Sequence, residues 1–290
     1  RRDAGGPRMS ARTVPTVVHD IITQQRASHP ERAVLIGVAG AQGSGKTYAC
    51  QHLEAANRPR FAHFSLDDVY LTKAERVWRA DNIASFNAVR DEDGHFEVTH
   101  VSRPETERLL LTRGPPGTHD LGLAKDIIAR LNKPGPTKLP RFDKAADDRA
   151  PESSWPVFQG PAEAILVDGW CLGATPTPPA EPLNDVERED VDGIWRRETD
   201  KQLRKTYAPF FAIFDAIVYL QAPTWDIVFR WRGEQEEQLL GRAMAAEENT
   251  KLDRFLMHYE SITRSMMAGG HVATCAVQLD ESRRVVRVSP

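Results

Sequence analysis

The residues with the clearest chemical potential form one contiguous stretch, Val34 to Thr47. An apolar run leads directly into Gly-Ala-Gln-Gly-Ser-Gly-Lys-Thr, which matches the pattern G-x-x-x-x-G-K-S/T and is followed by a helical stretch. The glycines let successive backbone N–H groups approach phosphate oxygens without a Cβ in the way. This pattern predicts a P-loop, in which we expect the nucleotide to contact Gly40, Ala41, Gln42, Gly43, Ser44, Gly45, Lys46, Thr47 and Tyr48.

Two side chains at the end of this pattern have specific roles in P-loop chemistry. Lys46 can reach the β- and γ-phosphates, and the Thr47 hydroxyl can ligate magnesium. The positive N-terminal end of the following helix adds to the anion site. The sequence therefore predicts ATP and Mg²⁺ as cofactors. The alternative is a chance match in a loop that binds no nucleotide.

Two carboxylates follow predicted buried strands. Asp67 comes after the strand 61–65, and Asp168 ends the strand that begins at Ala164. Ligands bind at the carboxyl ends of parallel strands, where Asp67 could accept a hydroxyl proton or hold a metal-bound water, and Asp168 could ligate the metal. The alternatives are a helix N-cap for Asp67 and a turn residue for Asp168. We predict Lys46 and Asp67 to be catalytic, and Thr47, Asp67 and Asp168 to be metal ligands.

A helix predicted from Thr224 carries Arg230 and Arg232, with Arg242 beyond them. A mobile helical lid, at about residues 224–250, could bring arginine over the transferring phosphoryl group and exclude water. We therefore predict Arg230 and Arg232 to be catalytic. An ordinary solvated helix face is the alternative explanation for such arginines.

Two polar loops, residues 112–120 and 139–149, have the composition of an acceptor site. Their cations suit a carboxylate substrate, for which bidentate arginine is the best partner, and their carboxylates could accept bonds from hydroxyl groups. Surface salt bridges among these residues are the competing interpretation. The predicted substrate-binding residues are Asp67, Tyr70, Arg113, His119, Asp120, Arg141, Asp143, Lys144 and Arg149.

Composition excludes several classes of protein. The 290 residues carry a formal net charge of −3 with a pI near 6.3, which gives no basic field for nucleic acid. The apolar stretches are too short to cross a bilayer. The three cysteines form no Cys-x-x-Cys pair, which argues against a disulfide framework and a structural zinc. We expect a cytoplasmic protein with a small-molecule substrate and no nucleic-acid or membrane partner; monomer or dimer, and organellar targeting, stay open.

Short strands alternate with helices along the chain. This alternation predicts an α/β fold, a doubly wound and mostly parallel sheet of about five strands, with an antiparallel strand at the C-terminal edge and helices on both faces. Residues 1–8, before Met9, are expected to be a cloning remnant. Residues 9–290 are predicted to form one domain with a polar insertion at about 79–108, a surface loop at 174–198 and a helix at 201–213 that is interrupted or bent near Pro209.

With these motifs the chain resembles the D-glycerate 3-kinase family, within the P-loop kinases that include phosphoribulokinase, uridine kinase and pantothenate kinase. The resemblance implies phosphorylation of D-glycerate by ATP to 3-phosphoglycerate, with Asp67 matching the catalytic carboxylate and Arg230 or Arg232 falling where the lid arginines lie. The motifs that carry the resemblance are Gly37 to Thr47, Ser65 to Tyr70, Thr112 to Asp120, Leu139 to Arg149, Asp168-Gly169-Trp170 and Phe255 to Arg264.

Two departures from the family pattern stand out. Asp168 occupies the position of the family's usual glutamate, and roughly twenty extra residues lie between Tyr70 and Arg113. Three alternatives therefore stay open: a kinase for another small hydroxy acid or polyol, a nucleotide-dependent regulatory protein, and a silent scaffold that retains the nucleotide site. A GTPase is disfavoured because Asn132-Lys133-Pro134-Gly135 has glycine where the guanine-reading carboxylate must be.

Overall fold

The structure is a computed structural model that describes residues 12–90, 96–100, 103–177 and 181–290. Residues 1–8, predicted to be a cloning remnant, lie outside the described residues. The helices are α1 Val14–Ser28, α2 Lys46–Ala56, α3 Lys73–Ala84, α4 Pro104–Leu111, α5 Leu121–Leu131, α6 Asp185–Glu189, α7 Ile194–Gln202, α8 Ala208–Phe211, α9 Trp225–Leu240 and α10 Ala246–Met267. The strands are β1 Val34–Gly40, β2 Phe61–Ser65, β3 Phe86–Arg90, β4 Phe96–His100, β5 Gly135–Lys138, β6 Phe142–Asp143, β7 Asp148–Arg149, β8 Val157–Gly160, β9 Ala164–Gly169, β10 Ala216–Gln221, β11 Cys275–Leu279 and β12 Val285–Ser289.

One six-stranded sheet organises the chain, in the order β12-β11-β10-β1-β9-β2. Five of its strands are parallel, and β12 pairs antiparallel with β11 at the C-terminal edge. The predicted α/β class and doubly wound, mostly parallel sheet are confirmed. The register pairs Asp168 with Val38 on one side and with Ser65 on the other, so the ends of β1, β2 and β9 meet at one place.

Both faces of the sheet are covered, because its inner strands are apolar on each side. Every residue of β1 is buried. Leu35 and Ala39 face a core completed by α5 and α10, whereas Val34, Ile36 and Val38 face a core completed by α1, α2 and α9. Among the helices that the structure describes, none combines the length and the apolar character needed to cross a bilayer.

The prediction of a surface loop at 174–198 is wrong for its second half, which contains α6 and the start of α7. Asp190 is fully buried and accepts hydrogen bonds from the backbone N–H groups of Trp195 and Arg196, both at 3.0 Å. Glu187 is also buried. These two acidic residues are therefore part of a packed unit, where each buried carboxylate has hydrogen-bond partners.

The predicted polar insertion at 79–108 contains regular structure that sequence periodicity did not reveal. Helices α3 and α4 flank the hairpin β3–β4 and pack through Ala80, Ala84, Leu109 and Leu110. Trp195 closes the same small core. Two of these four contact residues are alanines, so the hydrophobic periodicity of the two helices is weak in the sequence. That this segment is an insertion into the family fold stays a prediction.

The predicted interruption of the helix near Pro209 is confirmed. Helix α7 continues into a π-helical turn, Leu203–Tyr207, before the short helix α8. A proline in a helix interior removes a backbone donor, and a π-helical turn absorbs the disruption. This turn also carries Tyr207 into the core, where it contacts the 112–120 loop.

Candidate active site

The P-loop connects β1 to α2 with the geometry of an anion cradle. Gly43 and Gly45 have φ of 74° and 88°, a region that favours glycine. A Cβ at Gly43 would lie 2.7 Å from the backbone of Trp231, so no side chain fits there. Helix α2 begins at Lys46 without a side-chain cap, which leaves its first N–H groups for a ligand. Contact with the nucleotide at residues 40–48 stays a prediction that this geometry supports.

Lys46 extends into the main cavity, a space of about 640 Å³. Its Nζ donates to the carbonyl oxygen of Ala41 at 3.3 Å. Burial lowers the pKa of Lys46, and the negative charges of Asp168 and Asp67 oppose that shift. The ammonium group therefore lies within the field of both carboxylates.

Asp168 is held on both carboxylate oxygens. Oδ2 accepts a hydrogen bond from Thr47 Oγ1 at 2.7 Å and another from Ser65 Oγ at 3.3 Å. Oδ1 lies 2.7 Å from His63 Nε2. The Asp168 side chain is 1% exposed. A hydroxyl and a carboxylate side by side are the oxygen donors that Mg²⁺ prefers, so Thr47 and Asp168 fit the predicted metal site.

Sequence reasoning missed His63. It lies in the middle of β2, pairs in register with Leu166 of β9 and is 6% exposed. The available signal was a lone polar residue inside the apolar strand Phe-Ala-His-Phe-Ser. A buried polar group requires a partner, and here that partner is Asp168.

Asp67 lies in a short 3₁₀ turn after β2 and faces the main cavity. The alternative role of N-cap belongs instead to Ser65, whose hydroxyl accepts from the Asp67 N–H, and to Asp68, whose carboxylate accepts from the Ser65 N–H. The Asp67 carboxylate therefore takes no part in capping and faces the main cavity. It accepts from Tyr70 Oη at 2.8 Å and from Lys144 Nζ at 3.0 Å.

The charges around Asp67 fix its protonation state. Burial by itself would raise the pKa of Asp67, but the ammonium groups of Lys144 and Lys46 outweigh it and lower the pKa to about 2. About a third of the side chain, 35%, is open to the cavity. Asp67 is therefore ionised at neutral pH and is a weak base.

The main cavity has two ends, which we name by the groups that line them. The nucleotide end consists of P-loop residues, and the acceptor end consists of side chains from later segments. The nucleotide end comprises Gln42, Gly43, Gly45, Lys46, Thr47 and Tyr48. The acceptor end comprises Asp67, Tyr70, Arg113, Lys144, Trp170, Phe255 and Tyr259.

Arg113 is held at the acceptor end by three neighbours. Its guanidinium pairs with Asp147 and lies over the ring of Phe142, 5.6 Å from the centroid. Tyr259 Oη donates to the Arg113 carbonyl at 3.1 Å, and Trp170 Nε1 donates to the next carbonyl, that of Gly114, at 2.9 Å. A Cβ at Gly114 would overlap the Tyr259 hydroxyl. Tyr259 therefore belongs to the site through packing that its place in an apolar helix stripe did not indicate.

Five predicted substrate residues, all in the described part of the chain, do not line the main cavity: His119, Asp120, Arg141, Asp143 and Arg149. Asp120 caps α5 and pairs with Arg149 at 3.2 Å, Arg141 pairs with Asp68 at 3.1 Å, and Asp143 accepts two backbone N–H groups of its own turn. Their charges are satisfied within the loops. In this structure these side chains hold the loops together, and their direct contact with a substrate stays a prediction.

His119 is buried beneath Tyr70, with ring centroids 4.6 Å apart. Its Nδ1 lies 2.6 Å from the hydroxyl of Tyr207, which also accepts a hydrogen bond from the Gly117 N–H. Because that hydroxyl already accepts at its oxygen, its proton is available to Nδ1. Burial lowers the pKa of His119 to about 4, so the ring is neutral at pH 7. The neutral ring stacks against the ring of Tyr70.

The two predicted lid arginines point in different directions. Arg232 lines the main cavity and pairs with Glu236 one turn further along α9. Arg230 pairs with Glu281 of the C-terminal hairpin at 3.0 Å. Residues two apart on a helix are separated by about 200° and cannot share a face. Arg230 therefore does not line the cavity in this structure, and its catalytic role stays a prediction. Arg242, which pairs with Glu248 at 2.8 Å, is also outside the cavity lining.

Sequence reasoning also missed Arg283, in the turn between β11 and β12. Its φ is +63°, which is uncommon for a residue other than glycine. Its Nε donates to the Gly43 carbonyl at 2.7 Å, and its Nη2 pairs with Glu234 of α9 at 2.7 Å. Arg283 borders both the main cavity and a second cavity of about 440 Å³. That second cavity is lined by Arg12, Thr13, Val14, Pro15, Ser44, Gly45, Tyr48, Ala49, Arg283, Arg284 and Val285.

Comparison with known proteins supplies a family context. No protein-family profile matches the chain. The chain is 28% identical over 273 residues to the chloroplastic D-glycerate 3-kinase of Arabidopsis thaliana, covering 87% of this chain and 54% of that protein. It is 26% identical over 251 residues to an uncharacterized kinase of Schizosaccharomyces pombe, covering 81% and 82% of the two chains. The chain thus spans about half the length of the plant relative.

A solved structure has the same fold. The D-glycerate 3-kinase of Cryptococcus neoformans superposes with a TM-score of 0.69 at 22% identity, covering 96% of this chain and 99% of that one. The helices and the mostly parallel sheet around the P-loop are therefore shared with known kinases. The chain has the fold of the P-loop kinases, and its resemblance to the D-glycerate 3-kinase family is confirmed over most of its length.

Proposed function

We propose that this chain is an ATP-dependent kinase that phosphorylates a primary hydroxyl of D-glycerate to give 3-phosphoglycerate and ADP. One observation carries the proposal: Lys46 of the P-loop and the Asp67 carboxylate line the same cavity, with cations at its far end. The name of the Arabidopsis thaliana relative supports glycerate as the acceptor. The alternative acceptors are another small hydroxy acid or a polyol.

The triphosphate binds along the P-loop, where the free N–H groups at the start of α2 and the Lys46 ammonium face the main cavity. The base then extends into the second cavity, between Tyr48 and the side chains of Val14 and Pro15. An apolar slot of this kind suits a planar ring. Arg283 lies at the junction of the two cavities, where its charge faces the phosphates.

Thr47 and Asp168 are the residues that would hold the magnesium ion of the nucleotide. Their oxygen atoms are adjacent, and the Asp168 carboxylate is oriented by His63 from the other side. When bound, Mg²⁺ supplies positive charge to the β- and γ-phosphates. Asp168 is shorter than the family's glutamate, and the direct bond to Thr47 brings its carboxylate within reach of the P-loop.

The acceptor end binds the carboxylate of the substrate. Arg113 and Lys144 line this end and carry the positive charge that a small carboxylate needs. Each is already paired with a protein carboxylate, Arg113 with Asp147 and Lys144 with Asp67. The substrate carboxylate therefore binds to cations that are already paired with protein carboxylates. Trp170, Phe255 and Tyr259 limit the size of the acceptor.

Asp67 orients the reacting hydroxyl and takes its proton late. A carboxylate with a pKa near 2 is too weak a base to deprotonate an alcohol before transfer. Phosphoryl transfer passes through a loose transition state, in which the alcohol becomes strongly acidic only as its oxygen bonds to phosphorus. Asp67 then receives the proton, while the γ-phosphoryl group leaves ADP. Arg232 offsets the charge of the transferring group once it separates from Glu236.

The decisive assay supplies the purified chain and MgATP with a panel of small hydroxy acids, polyols, nucleosides and pantothenate. We expect ADP release that depends on D-glycerate, and a phosphate on the 3-hydroxyl by phosphorus NMR. ADP release at the same rate with and without each acceptor would indicate a regulatory ATPase. Tight ATP binding without turnover would indicate a silent scaffold.

A further inference from the structure

A second group of metal-ligating side chains lies behind the P-loop. Cys50 of α2, His63 of β2 and Asp168 of β9 bring a thiol, an imidazole nitrogen and a carboxylate oxygen within 4.8 Å of one another. All three residues are buried, with exposures of 0%, 6% and 1%. Cys50 is a free thiol. The proposed chemistry of phosphoryl transfer uses Asp168 but not Cys50.

These three ligand types select one class of metal. Thiolate, imidazole and carboxylate are the ligands of Zn²⁺ and of similar borderline cations, whereas Mg²⁺ prefers oxygen alone. Bond lengths of about 2.0–2.3 Å place two ligand atoms of one tetrahedral zinc about 3–4 Å apart. The His63–Asp168 pair, at 2.7 Å, is already close, so the Cys50 thiol needs to approach by only about 1 Å.

The position of this cluster connects it to the P-loop. Cys50 lies one helical turn after Lys46 and Thr47 on α2, and Asp168 accepts the hydrogen bond of Thr47. A cation on Asp168 Oδ1 would replace the hydrogen bond from His63 and leave Oδ2 facing Thr47. It would place a second positive charge beside the oxygens proposed to hold Mg²⁺, and would tie three separate elements together.

We propose that Cys50, His63 and Asp168 form an inhibitory binding site for a borderline divalent cation of the Zn²⁺ class. Binding forms a metal–sulfur bond and releases the thiol proton to solvent. The metal binding stands without any assumption about the substrate, whereas the inhibition rests on the proposed kinase function. If these three residues bind no metal, the cluster is only a His63–Asp168 hydrogen bond beside a buried thiol.

Cobalt(II) titration of the full chain tests the binding directly, because only a thiolate ligand produces a sulfur-to-cobalt charge-transfer band in the near ultraviolet. We expect one equivalent of Co²⁺ to generate this band and Zn²⁺ to abolish it. The variant Cys50→Ala should lose the band, whereas the matched control Cys275→Ala, at another buried thiol, should retain it. No band in the native chain, or a band that persists in Cys50→Ala, would overturn the proposal.

Turnover provides the second readout. With excess Mg²⁺, micromolar-range Zn²⁺ should inhibit the native chain and Cys275→Ala alike, while Cys50→Ala should need at least about tenfold more Zn²⁺. Equal sensitivity of all three proteins would overturn the inhibitory role. A chain that shows the cobalt band but phosphorylates nothing would retain the metal site and lose the proposed function, so the two failures are distinguishable.

Discussion

The two ends of the main cavity are built in different ways. The nucleotide end is one contiguous segment, residues 40–48, anchored by a strand that is buried throughout. The acceptor end collects side chains from five separate stretches of the chain, and its principal charges are already paired, Asp67 with Lys144 and Arg113 with Asp147. The first end is preformed by backbone, whereas the second must exchange internal ion pairs for contacts with a substrate.

This difference predicts where substitutions act. Groups that contact the transferring phosphoryl group should change kcat, because their interactions strengthen in the transition state. Groups that hold the acceptor through shared ion pairs should change KM for the acceptor more than kcat. Each variant below tests one side of this division.

Lys46→Ala is expected to have the largest effect. The ammonium group is the one nucleotide-end side chain that reaches both carboxylates and the γ-phosphate position, so kcat should fall by at least about 10³-fold. Lys125→Ala, an exposed lysine of α5, is the matched control and should be unchanged. Steady-state kinetics with thermal unfolding checks both. Near-normal turnover of Lys46→Ala with an intact fold would refute the assignment of the P-loop.

Asp67→Asn removes the carboxylate that orients the hydroxyl, while leaving its size unchanged. We expect kcat to fall by about 10²–10⁴-fold, with little change in the Kd for ATP. Asp68→Asn, which affects a neighbouring carboxylate that pairs with Arg141, should cost far less activity. If Asp67→Asn raised only the KM for D-glycerate, Asp67 would be a binding group of the acceptor end.

Arg232→Ala and Arg230→Ala separate two arginines that differ by half a helical turn. Arg232 faces the cavity, so its loss should lower kcat by about 10²-fold. Arg230 pairs with Glu281 away from the cavity, so Arg230→Ala should stay within about twofold of the native rate. The reverse ranking would show that α9 turns before catalysis.

Arg283→Ala tests whether the C-terminal hairpin serves the nucleotide end. Loss of its charge-assisted contacts with the Gly43 carbonyl and the phosphates should raise the KM for ATP about tenfold at similar kcat. Arg287→Ala, at an exposed arginine of β12 that lines neither cavity, is the control and should leave the KM for ATP unchanged. Equal KM values for native and Arg283→Ala proteins would remove Arg283 from the nucleotide site.

Asp147→Asn probes the internal ion pairs of the acceptor end. Burial would raise the pKa of Asp147, but its hydrogen bonds from Arg76 and Arg113 lower it. A lowered folded-state pKa stabilises the fold above the unfolded pKa near 3.9, and that contribution is lost as the pH falls through the folded value. Asparagine tolerates the φ of +53°, so the change isolates the charge.

We expect Asp147→Asn to raise the KM for D-glycerate, because Arg113 loses the carboxylate that holds it at the acceptor end. The free energy of unfolding should fall by about 1 kcal/mol at pH 7, a modest value because the carboxylate is about a third exposed. The difference from the native protein should shrink below about pH 4, where Asp147 becomes protonated. Denaturant unfolding at pH 7 and pH 3 measures it. A difference that is independent of pH would indicate a purely steric effect.

Much of the fold follows from the sequence because its signals are local. The strand 61–65 has the bounds that the sequence predicts, and an antiparallel strand lies at the C-terminal edge of the sheet as expected. Helix α6 was not predicted because its burial is not visible in a polar, acidic sequence. Glu187 is buried and accepts a hydrogen bond from the hydroxyl of Ser261, 74 residues further along the chain. The nucleotide end was also predictable from local sequence, because the groups that form it are backbone amides and side chains of one contiguous motif.

The acceptor end was predictable in composition but not in arrangement. The loops supplied the correct cations, yet Arg141 and Arg149 turn to carboxylates and only Arg113 and Lys144 reach the cavity. Which charges pair internally depends on contacts across the fold. Arg283 illustrates the limit, because it reaches Gly43 from 240 residues away.

The central claim is that both ends of the cavity serve one reaction, with the nucleotide and the acceptor bound side by side. The most direct measurement is the rate of ADP formation at saturating MgATP with and without D-glycerate, with 3-phosphoglycerate quantified in the same samples. The structure predicts equal amounts of ADP and 3-phosphoglycerate, and almost no ADP without the acceptor. ADP formation at one rate in both samples, or glycerate left unphosphorylated while ATP is consumed, would contradict it.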